Sequence, residues 1–332
     1  MTSGWLRRVV GTMAVGLLVA VGVPGIAGAQ PHSAVAHVEV EDDRTVVLHV
    51  YSAAMDRVVP LRVRTPADTS VPRPTLYLLN GAGGGQGAAT WDAQTGIDQF
   101  FADKNVNVVT PLEGSFSYYT DWQQEDPVLG RNKWTTFLTR ELPPVVDSAL
   151  GTSGRNAIAG LSMSGTSVLS LAIAAPHLYR AVGAYSGCAE TSTELGQLYV
   201  RTVVESRGGA DPENMWGPFD GPGWRENDPY RHAEKLRGID LYVSSATGLP
   251  GRHEHLGARS VGNDPGMLLN QVFVGGIIEA AVNDCTRRLA ARLDELGIPA
   301  QFDFRPTGTH SWGYWEDDLH NSWPMLARAI GL

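Results

Sequence analysis

Between residues 156 and 175 the chain passes from a short uncharged run, Asn156-Ala-Ile-Ala-Gly160, through Gly160-Leu-Ser-Met-Ser-Gly165, into a stretch of small and apolar residues ending at Ala175. A continuous apolar run of that length reads as a strand buried on both faces, and the stretch after it as a helix packed close to that strand. A strand that becomes a helix within a few small residues belongs to a sheet layered with helices. The sharp turn between them would lift the side chain at its apex, Ser162, above the sheet edge.

The rest of the chain repeats the alternation. Val38 to Val50 and Arg57 to Arg64 read as early strands, partly antiparallel. Thr75-Leu-Tyr-Leu-Leu79, ended by Asn80-Gly81, and Asn107-Val-Val-Thr-Pro111 read as buried strands around a helix near Ile97 to Lys104. Trp134 to Leu150 reads as a helix interrupted at Pro143-Pro144, and Ser164 to Ala175 as the helix after the turn. Ala181 to Ser186 and Leu241 to Ser244 continue the strands. Gly276 to Leu296 follows as a long amphipathic helix and Ala300 to Arg305 as a last strand. Strands alternating with helices predict an α/β fold, a mostly parallel central sheet flanked by helices on both faces. We expect one such domain over residues 30–332.

Residues 1–29 read as a secretory signal peptide: Arg7 and Arg8, an uncharged apolar run from Val9 to Val23, a Pro24-Gly25 break, and Ala27-Gly28-Ala29 before Gln30. The expected location is therefore outside the cell or in its envelope. No further run of spanning length is apparent, so no stable membrane span is expected. Two cysteines in an oxidising compartment predict a Cys188–Cys285 disulfide. The whole chain carries −9, and without the leader it has 24 basic against 35 acidic side chains, −11. No Lys/Arg tract occurs, which argues against nucleic acid as a partner. No Cys/His spacing of a zinc site is present either, and no metal or organic cofactor is expected.

Ser162 in that turn is the candidate nucleophile, although Ser164 occupies the fifth position of the G-x-S-x-G pattern, where glycine is usual. A serine needs a base, and Thr307-Gly-Thr-His-Ser-Trp312 supplies His310 after the last strand, where the Ser…acid…His order of the α/β-hydrolase fold would put it. The acid stays open on the residues alone. Position favours Glu254 or Asp264, while the apolar neighbours Ile277, Ile278, Ala280 and Ala281 predict a buried, partnered Glu279. Two backbone donors for an oxyanion are expected at Met163 and, in the glycine-rich loop after Leu79, at Ala82. That loop lacks the lysine and the spacing of a phosphate cradle.

Tyr77-Leu-Leu-Asn-Gly81, Ser115-Phe-Ser-Tyr-Tyr-Thr-Asp-Trp122, Lys133 to Pro143, Gly160-Leu-Ser-Met-Ser-Gly165, Met215-Trp-Gly-Pro218, Asn227-Asp-Pro229 and Gly308-Thr-His-Ser-Trp312 stand in one order across the domain. Together they resemble the secreted mycolyltransferases of antigen 85 type, found in mycobacteria with corynebacterial and nocardial relatives. That family's elbow also carries a small residue other than glycine at the fifth position. The resemblance implies an α/β-hydrolase that moves a mycolyl or long-chain acyl group from trehalose monomycolate to a second trehalose monomycolate or to cell-wall glycan through an acyl-serine. It implies Ser162 as nucleophile, His310 as base, Glu279 as acid, and donors at Ala82 and Met163. Asn80 and Gly83 stand where mycobacterial members carry sugar-holding Asp and Arg. Asn80, Asp92, Ser311 and Trp312 are the expected sugar contacts, with Trp91, Trp122, Trp216 and Trp224 near the mouth. The disulfide would tether the loop after Ser186 to the Glu279 helix, and a monomer is expected. The alternatives are a secreted carboxylesterase with the same triad and a non-catalytic wall- or matrix-binding protein of the same fold.

Overall fold

The sheet runs through nine strands in the order β1-β2-β3-β5-β4-β6-β7-β8-β9. These are β1 (Ala34–Val40), β2 (Thr45–Ser52), β3 (Arg57–Arg64), β4 (Thr75–Leu79), β5 (Asn107–Pro111), β6 (Asn156–Leu161), β7 (Tyr179–Tyr185), β8 (Asp240–Ala246) and β9 (Gln301–Arg305). A computed structural model describes residues 32–332, so the expected leader at 1–29 lies outside the described residues. The first three strands form an antiparallel meander joined antiparallel to β5, and the other six are mutually parallel. One expected strand, Val38 to Val50, is two. The chain turns through Glu41 to Arg44, with the Asp42 carboxylate accepting the N–H groups of Arg44 and Thr45, both at 2.7 Å.

Side chains alternate across the parallel strands and feed two cores. Tyr77, Leu79, Val109, Ile158 and Val182 point to the face covered by helices α1 (Leu142–Leu150), α2 (Met163–Ala174) and, past the α3 (Glu194–Arg201) region, α4 (Gly276–Glu295). Leu76, Leu78, Val108, Ala157 and Ala159 point to the other face, under the Trp91–Phe101 segment and α5 (Trp312–Ile330). Every residue of β4, β5 and β6 is buried, which is why their sequences show no polar alternation.

The expected proline break falls differently. Trp134 to Leu150 stays helical, with a π-turn over Phe137–Glu141 just before Pro143 and Pro144, which stand in the first turn of α1. A second π-turn, Gln271–Gly275, joins a short helix, Pro265–Asn270, to α4. The resulting 31-residue helix contains a window long and apolar enough to cross a membrane, 28% of it buried. Sequence reading started this helix at Gly276 and so missed that feature. Its second half is fixed to the domain through Cys285, Leu289 and Leu293.

Cys188 and Cys285 form the expected disulfide, their Cα atoms 5.3 Å apart and 97 residues apart in sequence. It ties the loop after β7 to α4. Replacing both with serine should cost roughly 2–4 kcal/mol, because the open chain regains the entropy of a loop of that length. Thermal unfolding of the double variant beside wild type measures it, and an unchanged midpoint would contradict the tether.

Candidate active site

The carboxyl ends of the parallel strands bring three distant side chains into one line. At the end of β6, Ser162 adopts φ 56°, ψ −121°, a conformation that non-glycine residues rarely hold and that costs about 1–3 kcal/mol. Its N–H donates to Tyr185 O at 2.8 Å, anchoring the apex to the neighbouring strand. The flanking glycines make room. A Cβ at Gly160 would stand 2.5 Å from Ser164 Oγ, and one at Gly165 would stand 2.6 Å from Tyr185 O. Ser164 is itself useful, since its Oγ accepts the Leu161 N–H at 2.9 Å and contacts Leu161 O and Leu79 O. The fifth position therefore laces the turn, and the glycine needed for close packing is Gly165.

The Ser162 hydroxyl donates to His310 Nε2 at 2.8 Å, and His310 Nδ1 donates to Glu279 Oε2 at 2.8 Å. A carboxylate facing Nδ1 keeps the proton there and leaves Nε2 as the acceptor. Glu279 is fully buried. Its Oε1 accepts the Ala246 N–H at 2.8 Å from the end of β8, and the Ser186 hydroxyl at 2.9 Å from the end of β7. Ser186 in turn accepts the Trp315 indole N–H at 3.1 Å. A carboxylate taken out of water needs such hydrogen-bond donors to offset its desolvation. Ser186 and Trp315 were missed in the sequence: no local motif marks them, and they reach Glu279 only through strand order and the turn into α5.

The His310 loop has its own brace. Its N–H donates to Gly275 O, at the π-turn, at 3.1 Å. Glu254 accepts the Thr309 hydroxyl at 2.7 Å, the Tyr314 hydroxyl at 2.7 Å, the Gly251 N–H at 2.6 Å and Gln271 Nε2 at 2.9 Å. The two positional candidates for the triad acid thus serve elsewhere. Glu254 holds the residues beside His310 and leaves the imidazole to Glu279, while Asp264 caps the helix Pro265–Asn270. Burial works against the Glu254 charge, but the Gly251 N–H and the Tyr314, Thr309 and Gln271 donors outweigh it and hold its carboxyl below the ordinary glutamate value of 4.5. A depressed folded-state value means stabilisation that is present above about pH 4.5 and lost as pH falls through the lower folded value. Glu254→Gln should lower kcat roughly 10- to 100-fold by loosening the imidazole's placement. The gap in melting temperature between wild type and this variant should shrink from pH 6 to pH 3. An unchanged kcat would remove Glu254 from the site's support.

The Ala82 and Met163 N–H groups, from the loop after β4 and the start of α2, have no acceptor among the described residues. In α/β-hydrolase folds the donors for an oxyanion come from these two places in the chain, the residue after the nucleophile and the loop after an early strand. A cavity of about 310 Å³ opens beside Ser162 and His310, walled by Tyr118, Leu198, Val203, Ile277, Ile278 and Val282. Ile277 is 72% exposed at the rim, and Phe273, one turn earlier, is 65% exposed.

The four expected sugar contacts are not on this cavity's wall. Asn80 is fully buried, its Oδ1 accepting the Trp91 N–H at 3.0 Å, so it shapes the Ala82 loop from beneath. Asp92 is bound by Arg64 and Arg62. Ser311 is buried against Glu254. Trp312 packs edge-on against Trp91 and Trp315, 5.5 and 5.2 Å between ring centroids. Trp91, Trp122, Trp216 and Trp224 are buried as well. These aromatic rings belong to the cores, and for Trp312 nearness in sequence to His310 was a poor guide.

An elbow serine, a hydrogen-bonded histidine and a buried glutamate at the carboxyl ends of a parallel sheet define a serine enzyme of the α/β-hydrolase class, equipped for acyl transfer. The family model "Putative esterase" matches residues 52–326. The diacylglycerol acyltransferase/mycolyltransferase Ag85A of Mycobacterium tuberculosis is 32% identical over 99% of this chain and 93% of its own length. Ag85B of Mycobacterium avium is 31% identical over 98% and 95%. The crystal structure of Mycobacterium tuberculosis MPT51 superposes with a TM-score of 0.71 at 25% identity, covering 87% of this chain and 100% of that one. An S-formylglutathione hydrolase from Agrobacterium tumefaciens shares the fold, with a TM-score of 0.63 at 14% identity. The chain belongs to this esterase family, and within it to the Ag85-type mycolyltransferases.

Proposed function

We propose that the protein transfers a long-chain acyl group of mycolyl type from one sugar ester to a second sugar hydroxyl, outside the cell membrane, through an acyl-Ser162 intermediate. The observation that carries this reading is the unbroken Ser162–His310–Glu279 hydrogen-bond line at the mouth of an apolar cavity. Ser162 Oγ attacks the ester carbonyl carbon as His310 Nε2 takes its proton, and Glu279 stabilises the imidazolium that forms. The oxyanion is held by the Ala82 and Met163 N–H groups. Collapse breaks the bond to the sugar oxygen, which leaves with the proton from His310. An incoming sugar hydroxyl gives its proton to His310 and attacks the acyl carbonyl; the acyl–Oγ bond then breaks as His310 returns that proton to Ser162 Oγ.

The cavity is at the small end of the range for ligand pockets, and its apolar rim continues over Ile277 and Phe273. This supports a donor whose acyl chain exceeds the cavity and lies on the rim. Family membership supports trehalose monomycolate as donor, with a second trehalose monomycolate or cell-wall glycan as acceptor. The leader-like residues 1–29 and the disulfide support export to the envelope. The test is mass spectrometry of products from residues 30–332 mixed with trehalose monomycolate. A trehalose diester is the expected product, and free acid alone would reduce the protein to a hydrolase.

A further inference from the structure

The edge of the sheet farthest from the catalytic end carries a side-chain cluster that acyl transfer does not use. Strand period places His37 and Glu39 on one face of β1, and antiparallel register sets His37 directly opposite His49 of β2. The two imidazoles stack with centroids 3.7 Å apart and planes 15° apart. Glu39 Oε1 stands 3.5 Å from His37 Nε2 and 3.2 Å from His49 Nε2. One donor atom from each of the three residues falls within 4.8 Å of the others. His49 Nε2 is buried, and its 3.2 Å contact with Glu39 Oε1 lacks hydrogen-bond geometry. Arg62, in the same row of this face, is occupied with Glu41 and Asp92 and leaves the Glu39 charge unneutralised.

We propose that His37, Glu39 and His49 bind a divalent transition-metal ion of the zinc class, clamping the edge strand β1 to β2. Two imidazole nitrogens and one carboxylate oxygen are the donor set that zinc, copper(II) and nickel(II) favour. In a tetrahedral zinc site with bonds near 2 Å, ligand atoms lie roughly 3.3 Å apart, close to the Glu39–imidazole spacing, and the exposed His37 ring must turn out of the stack for both in-plane lone pairs to meet one ion. The ion would give His49 Nε2 its missing partner, and water would complete the fourth position. β1 gains most from such a clamp. It is paired on one side alone, and much of its length is exposed. The signal was not legible in the sequence, because His37 and Glu39 meet His49 only through hairpin register.

Calorimetric titration of the untagged protein with zinc chloride tests this, beside His37→Ala and Glu39→Gln, both at exposed positions. One saturable site per chain is expected, weakened at least tenfold in each variant. Zinc should also slow amide hydrogen exchange at Val38 and Val40 in wild type alone. No saturable binding, or binding of equal strength in both variants, would overturn the proposal. Binding without slowed exchange in β1 would overturn the clamp.

Discussion

Ser162→Ala should lower kcat for acyl transfer roughly 10⁵- to 10⁶-fold while leaving the fold intact. Among the described residues the Ser162 side chain makes one hydrogen bond, to His310 Nε2, so its removal opens no core cavity and orphans no buried charge. The elbow itself is held by the backbone bond to Tyr185 and by the close approaches at Gly160 and Gly165, which the substitution does not touch. Melting temperature should therefore stay close to wild type, or rise slightly. What remains of catalysis would come from the Ala82 and Met163 donors and from the cavity's hold on the acyl chain. A variant retaining more than about one per cent of wild-type turnover would deny Ser162 its role as nucleophile.

Glu279→Gln is expected to cost roughly 10⁴-fold in kcat, about 5.5 kcal/mol of transition-state stabilisation. The amide is nearly the same size, and its oxygen can still accept from Ala246 N–H and Ser186, as Oε1 does now. Its NH₂ would then face His310 Nδ1, which must become an acceptor. The imidazole proton moves to Nε2, where it meets the Ser162 hydroxyl as a donor and no longer as a base. The negative charge that stabilises the imidazolium is lost as well. Because both effects act in the reaction and not in substrate binding, KM should change little. A kcat within tenfold of wild type would move the acid elsewhere, with Glu254 and Asp264 the alternatives by position in the chain.

The two cores and the parallel strands were legible because buried strands announce themselves as uncharged apolar runs, and the elbow because its glycines are fixed by packing. Ser162 and His310 could be read from those runs and their order. Glu279 could not be separated from Glu254 and Asp264 by residue type alone. Its distinction is that Ala246 N–H and Ser186 converge on it, which is a property of strand order. The same holds for Ser186 and Trp315, polar groups that touch Glu279 across 93 residues in one case and through a shared hydroxyl in the other. Trp312 alone was singled out for its place beside His310, and that proximity in sequence says nothing about which side of α5 a ring faces. Trp312 turned into the core beside Trp91, while the cavity took its walls from α3, the π-turn Thr202–Arg207 that follows it, and the start of α4. The Glu41 to Arg44 turn was hidden because the runs on both sides of it share one strand-like composition.

The most direct measurement of the central claim is the location of the acyl group in mid-reaction. The protein is mixed with a long-chain acyl ester, quenched in acid within the first turnover, digested, and its peptides weighed and sequenced by mass spectrometry. The account predicts one acyl adduct, on Ser162, in wild type and none in Ser162→Ala. Turnover at wild-type rate with no adduct on Ser162, or with an adduct on another side chain, would contradict it.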